Sequence, residues 1–164
     1  MAIPSIGLSG LRVVPYTGSP DDGPGTRIQN DGVAASPQGA RGGMGPGDIG
    51  NYIVTAHRLS AGGPFRELPS MRNGDHILVT SGGSVYDYVV TGTMSISFRK
   101  PDDLARQSAP VPGFPGRAAT KAMITLSTCA TLEDHAAGNF WKDEFDNPEH
   151  RIDKVGVLVD VRPA

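Results

Sequence analysis

Apolar residues in this chain cluster in short runs at period two, with no sustained run at the helical period, which predicts strands rather than helices. A first extended piece, Ile3-Pro4-Ser5-Ile6, leads to the strand Leu11 to Val14. From Asn51 to His57 the chain alternates, placing Ile53, Thr55 and His57 on one face and Tyr52, Val54 and Ala56 on the other. That alternation suits a half-buried strand with His57 at its C-terminal end. The runs His76 to Thr80 and Val85 to Phe98 flank Ser81-Gly82-Gly83-Ser84, a hairpin signal, and Gly92 marks a bulge in the second run. Ala122 to Thr128 reads as a strand ending at Cys129. The last strand runs from Arg151 or Asp153 to Val161, with Val155, Val157, Val159 and Val161 as its apolar stripe.

Two stretches lack this patterning and read as long loops. Pro15 to Gly50 is rich in Gly, Pro, Asp, Asn and Ser, and Phe98 to Thr120 carries four prolines, leaving only Asp102 to Gln107 able to form a helical turn. A polar segment of about twenty residues joins Cys129 to the last strand. Seven or so strands with little helix predict an all-β barrel or sandwich, and a chain of 164 residues predicts one domain spanning 1–164.

Composition narrows the partners. The 22 Gly and 14 Pro oppose long helices, and a net charge of -2 offers no electrostatic footprint for nucleic acid or an anionic membrane surface. No apolar run reaches the roughly 20 residues of a membrane span. One Cys and four scattered His lack the spacing of a zinc site, so no metal and no cofactor are expected. The pairs Asp21-Asp22, Asp102-Asp103 and Asp143-Glu144 read as solvated loop charges.

The candidate chemistry centres on Cys129. A thiol at a strand end, preceded by Thr125, Ser127 and Thr128, is presented at a sheet rim among polar side chains, which favours reactivity; a small buried hydrophobe is the competing reading. A thiolate needs a neighbouring imidazolium or guanidinium. His57 closes a patterned strand, whereas His76, His135 and His150 sit in turn or polar loop sequence. Arg151 opens the last strand, which a sheet can set beside the strand ending at Cys129, and its fixed fork of donors can hold an oxyanion. A surface ion pair of Arg151 with Glu149 or Asp153 competes, and surface pairing is still more the expectation for Arg58, Arg66, Arg72 and Arg162.

The pieces Ile3-Pro4-Ser5-Ile6-Gly7, then Gly50-Asn51 leading to Ala56-His57-Arg58, then Pro64-Phe65-Arg66 with Leu68, then Met71 with Gly74-Asp75, then Thr125-Leu126-Ser127-Thr128-Cys129, and Arg151 before the valine strand, taken in this order, resemble the sortases of Gram-positive bacteria. The Ala-His-Arg and Pro-Phe-Arg context looks most like class E, the housekeeping type of actinobacteria. The resemblance implies an eight-stranded sortase-type β-barrel and a cysteine transpeptidase. In such an enzyme Cys129 attacks the Thr carbonyl of a C-terminal sorting signal of Leu-Ala-x-Thr-Gly or Leu-Pro-x-Thr-Gly type, His57 protonates the leaving amine and Arg151 stabilises the oxyanion. The implied partners are secreted proteins bearing that signal and the amine of a lipid-linked peptidoglycan precursor. The implied place is the extracellular face of the cell membrane, with an N-terminal membrane anchor preceding the chain.

Tyr16, Leu104 and Thr128 are the substrate-binding candidates, Leu104 through the loop that forms the family's signal-binding wall. The 22 positions between Cys129 and Arg151 exceed the spacing in many family members. Two rivals stay open: a cysteine peptidase that only hydrolyses, and a β-rich interaction domain without enzymatic activity.

Overall fold

The computed structural model describes residues 1–164. In chain order its elements are β1 (Val13–Thr17), α1 (Gly23–Gln29), β2 (Ala34–Gln38), β3 (Gly50–Thr55), β4 (His76–Ser81), β5 (Ser84–Ser97), α2 (Pro101–Ser108), β6 (Ala122–Cys129), α3 (Thr131–Ala136) and β7 (His150–Pro163). The seven strands form one curled sheet in the order β1-β2-β3-β6-β7-β5-β4. Pairs β1–β2 and β3–β6 are parallel and the others antiparallel. The all-β expectation holds, with seven strands curled into a half-barrel and few short helices, and no helix is long and apolar enough to cross a membrane.

The expected eighth strand is reduced to isolated bridges. Ala2 pairs with Leu78 on the edge strand β4, and the Leu11 amide donates to the Met1 carbonyl at 3.0 Å, so the first residues link the two free edges of the sheet. Pro4 has no N–H for a ladder, and the chain turns into a 3-10 helix at Pro4–Ile6, ending on Gly7 at φ 67°. The hairpin forms as predicted, with Gly82 and Gly83 both at positive φ in a two-residue turn. The β5–β7 register shifts at Gly92, as expected for a bulge.

A second shift, between Asp87 and Tyr88, corrects the valine stripe. Val159 is left out of the ladder there and is exposed, as is Val161 near the strand end, while Leu158, on the face opposite Val155 and Val157, packs on the core. The predicted loop from Pro15 to Gly50 contains the end of β1, all of α1 and β2, and the start of β3. Seven residues of α1 fall below what periodicity can detect, yet Asp22 caps it, accepting from the Gly25 amide at 2.8 Å, with Pro24 in its first turn. The polar segment after Cys129 likewise holds α3.

Both faces of the central strands are buried. Tyr52, Val54 and Ala56 with Ile124 and Leu126 join Phe65, Ile77 and Tyr88 in the apolar core. The opposite face is polar, and it carries the site.

Candidate active site

Register builds this site. Thr55 of β3 pairs with Ser127 of β6, which pairs with Asp153 of β7, so the three form one row across adjacent strands. Side chains alternate along strands. Two residues further along β6 lies Cys129, and it pairs with Arg151. Two residues beyond Thr55 lies His57, just past the end of β3, where the Thr128 hydroxyl donates to the Ala56 carbonyl at 2.8 Å and keeps the two chains in step. His57, Cys129 and Arg151 thus form the next row on the polar face.

A cleft of about 240 Å³ opens on this row, lined by Cys129, His57, Asn30, Arg58, Phe145 and Asn147 among others. The Asn30 side-chain oxygen lies 2.8 Å from His57 Nε2, so Nε2 carries the proton and Nδ1 is left for reacting groups. Burial lowers the His57 pKa, partly offset by the carboxylate of Asp21. Cys129 Sγ lies 3.7 Å from Asn147 Oδ1. The Asn147 amide nitrogen donates to Asp143, which turns its oxygen to the thiol. Burial pushes the Cys129 thiol up to about 11, against the pull of the Arg151 guanidinium. The resting pair is therefore a neutral thiol and a neutral imidazole at pH 7.

Arg151 lies behind Cys129 with 0% exposure. Its Nε donates to Asp21 Oδ2 at 2.8 Å, its Nη1 donates to the Pro148 carbonyl, and its guanidinium stacks 3.9 Å from the Phe98 ring. Burial opposes its charge, yet Asp21, the thiol and Asp143 hold its pKa above the ordinary value. Nη2 has no hydrogen-bond acceptor, with Asp143 Oδ2 at 4.0 Å. A buried donor without a partner is costly, and it is the group an oxyanion would satisfy.

Several expectations are corrected here. Arg151 is no surface partner of Glu149 or Asp153, and Asp21 is no solvated charge. Arg58 is buried too, donating to the carbonyls of Arg66 and Cys129 and to Glu133. His150 opens β7 and binds Asp134 at 2.7 Å, while exposed His135 stands at the cleft rim. Of the substrate-binding candidates, Thr128 is spent on the Ala56 carbonyl. Tyr16 donates to the Ser19 carbonyl and, like half-buried Leu104 on α2, does not line the cleft. Asp21, Gln29, Asn30 and Asn147 escaped the sequence reading because no short-range pattern ties them to partners that lie 18 to 130 positions away.

The chain is similar in fold to several solved sortases. The SrtA sortase of Actinomyces oris superposes with a TM-score of 0.72 at 19% identity, covering 99% of this chain and 79% of that one. Sortase E of Streptomyces avermitilis gives 0.69 at 23%, with 98% and 86% coverage. Sortase E1 of Streptomyces coelicolor, solved with a tripeptide in its active site, gives 0.70 at 22% with the same coverage. Among curated proteins no match was found. The sortase domain family model matches residues 1–140, a span that includes His57 and Cys129, and this chain therefore belongs to the sortase family.

Proposed function

We propose that this sortase is a transpeptidase of the class E type, cleaving a Leu-Ala-x-Thr-Gly or Leu-Pro-x-Thr-Gly signal between Thr and Gly and passing the acyl group to an amine. The observation that carries this reading is the row of His57, just past the end of β3, with Cys129 of β6 and Arg151 of β7, the last with a buried guanidinium donor left unpaired.

The Cys129 thiol first passes its proton to His57 Nδ1, giving a thiolate and an imidazolium; the thiolate adds to the Thr carbonyl carbon, and the electron pair moves onto the oxygen. Arg151 Nη2 donates to that oxyanion. The C–N bond breaks as His57 gives its proton to the departing Gly amine, leaving a thioester. An incoming amine then attacks the thioester, loses its proton to His57 and expels the Cys129 sulfur. Asp143 Oδ2 lies 4.0 Å from Nη2, so the Asp143 side chain gives way when a substrate oxygen takes that donor. The partners of this reading are secreted proteins bearing the signal and the amine of a lipid-linked peptidoglycan precursor. Its place is the extracellular face of the membrane.

The test is cleavage of fluorogenic peptides carrying either signal, with Cys129→Ala as control and mass analysis of products with added triglycine. Cleavage between Thr and Gly that needs Cys129, with ligation to triglycine, supports the reading. Cleavage without ligation returns the peptidase, and no cleavage of either peptide returns the interaction domain.

A further inference from the structure

The carboxylate of Asp21 stands at the centre of the charged groups behind Cys129. It is 8% exposed, and its backbone lies at φ 56°, a left-handed conformation that is unfavourable for a non-glycine residue. The neighbouring Asp22 caps α1, so the helix does not need Asp21. Each oxygen of Asp21 has its own partner. Oδ2 accepts from Arg151 Nε at 2.8 Å, and Oδ1 accepts from Gln29 Nε2 at 2.9 Å. The same Gln29 amide donates to the Thr55 hydroxyl at 2.9 Å, which ties the carboxylate to β3.

A guanidinium is a rigid planar fork, so holding two of its nitrogens fixes the third. Asp21 holds Nε, the Pro148 carbonyl holds Nη1, and Nη2 is left without an acceptor. We propose that Asp21 is a positioning residue: through Nε of Arg151 it aims the Nη2 edge at the carbonyl oxygen that Cys129 attacks. This rests on the reading of Cys129, His57 and Arg151 as the reacting set. A carboxylate beside the thiol works against the thiolate, so the benefit of Asp21 lies in orientation rather than in charge.

Orientation and charge move in opposite directions when the carboxylate becomes an amide. The full chain carrying Asp21→Asn is compared with wild type in steady-state cleavage and in alkylation of Cys129 by iodoacetamide over about pH 6 to 10. The other groups facing the thiol are unchanged: Arg151 from β7, Asp143 and Asn147 from the segment before it, and His57 and Arg58 after β3. The expected result is a kcat about tenfold or more lower with KM within about twofold, together with an alkylation profile displaced to lower pH. Gln29→Ala keeps the charge but frees the carboxylate, and it should lower kcat several-fold without moving the profile. It carries the test should Asp21→Asn fail to fold.

Unchanged kcat in these variants overturns the proposal. So does a loss of kcat no larger than the loss of folded protein measured by circular dichroism, the mark of a purely structural role. If wild type cleaves neither signal, the functional reading fails, and alkylation still judges Asp21. A profile unmoved by Asp21→Asn then overturns the placement of the carboxylate beside the thiol on which the proposal stands.

Discussion

Cys129 and Arg151 are the outermost register pair of β6 and β7, facing each other across two antiparallel strands although they lie 22 positions apart in sequence. The length of the intervening segment is immaterial to their approach, because β6 and β7 stay in register over all seven pairs from Met123 to Cys129. That segment instead folds into α3 and the loop whose Asp143, Asn147 and Pro148 surround the pair.

Replacing Arg151 tests this relationship. Arg151→Lys keeps a cation but loses the fork that binds Asp21, Pro148 and an oxyanion together, and the removal of one such donor costs about a hundredfold in kcat. Steady-state kinetics should show that fall with KM nearly unchanged. Arg151→Ala leaves Asp21 buried without its partner, a loss of about 3 to 5 kcal/mol that denaturant unfolding would register. Equal stability of the alanine variant and wild type would contradict the buried ion pair.

The protonation states fix a second expectation. Burial raises the thiol to about 11 and lowers His57, so neutral forms dominate at pH 7 and the thiolate is the minority species. Iodoacetamide should therefore alkylate Cys129 at a rate that keeps rising past about pH 9, without levelling near neutrality. Turnover through a thiolate and an imidazolium is broad between the two pKa values. Its acid limb falls below the ordinary histidine value of about 6.5, because His57 is lowered. An alkylation plateau near pH 7 would show a thiol activated at rest.

Asn30 gives a third. Its side-chain oxygen fixes the His57 ring through Nε2, and the residue sits at the C-terminal cap of α1, clear of the apolar core. Asn30→Ala should reduce kcat about tenfold, in line with the loss of an orienting partner of a catalytic base, while the melting temperature stays close to wild type. Asn30→Asp keeps the acceptor and adds charge, so it should raise the His57 pKa and move the acid limb to higher pH. A pH profile identical in both variants would remove Asn30 from the site.

The parts of this picture that were legible in the sequence are those written at short range. Alternation from Asn51 to His57 placed His57 on the face opposite Val54, and the Gly82-Gly83 turn fixed the β4–β5 hairpin. The polar run Thr125, Ser127, Cys129 marked the face that carries the chemistry. The second layer of the site was not legible. Asp21 comes from what reads as a loop, and its partner lies 130 residues away. Gln29 and Gln107 hydrogen-bond buried polar groups from short helices with too few turns to show a period. The β5–β7 shift at Asp87 is likewise set by pairing, with no glycine to announce it, and it leaves Val159 out of the ladder.

The fourth expectation concerns Asp153, one row below Arg151 and 0% exposed. Its carboxylate accepts from Gln107 Nε2 at 3.0 Å and is bonded to Ser127, but no cation pairs with it. Burial therefore pushes it up to about 7, with those hydrogen bonds and Arg151 offsetting only part. Since the folded pKa exceeds the unfolded value near 3.8, the native state holds the proton more tightly. The associated stability is fully present below about pH 4 and is lost as pH rises through about 7. His57 contributes with the opposite sign, its lowered pKa weakening the fold as pH falls, so wild type alone does not isolate Asp153. Asp153→Asn keeps the size and an acceptor for Gln107 while removing the titration. Thermal unfolding of both proteins at pH 5 and pH 8 should show the variant gaining on wild type at the higher pH. The relative gain is several degrees in melting temperature, at about 2 to 4 °C per kcal/mol for a chain of this size. A difference between the two proteins that does not change with pH would mean that Asp153 stays ionised in the fold, with a compensating charge that the Gln107 and Ser127 contacts do not supply.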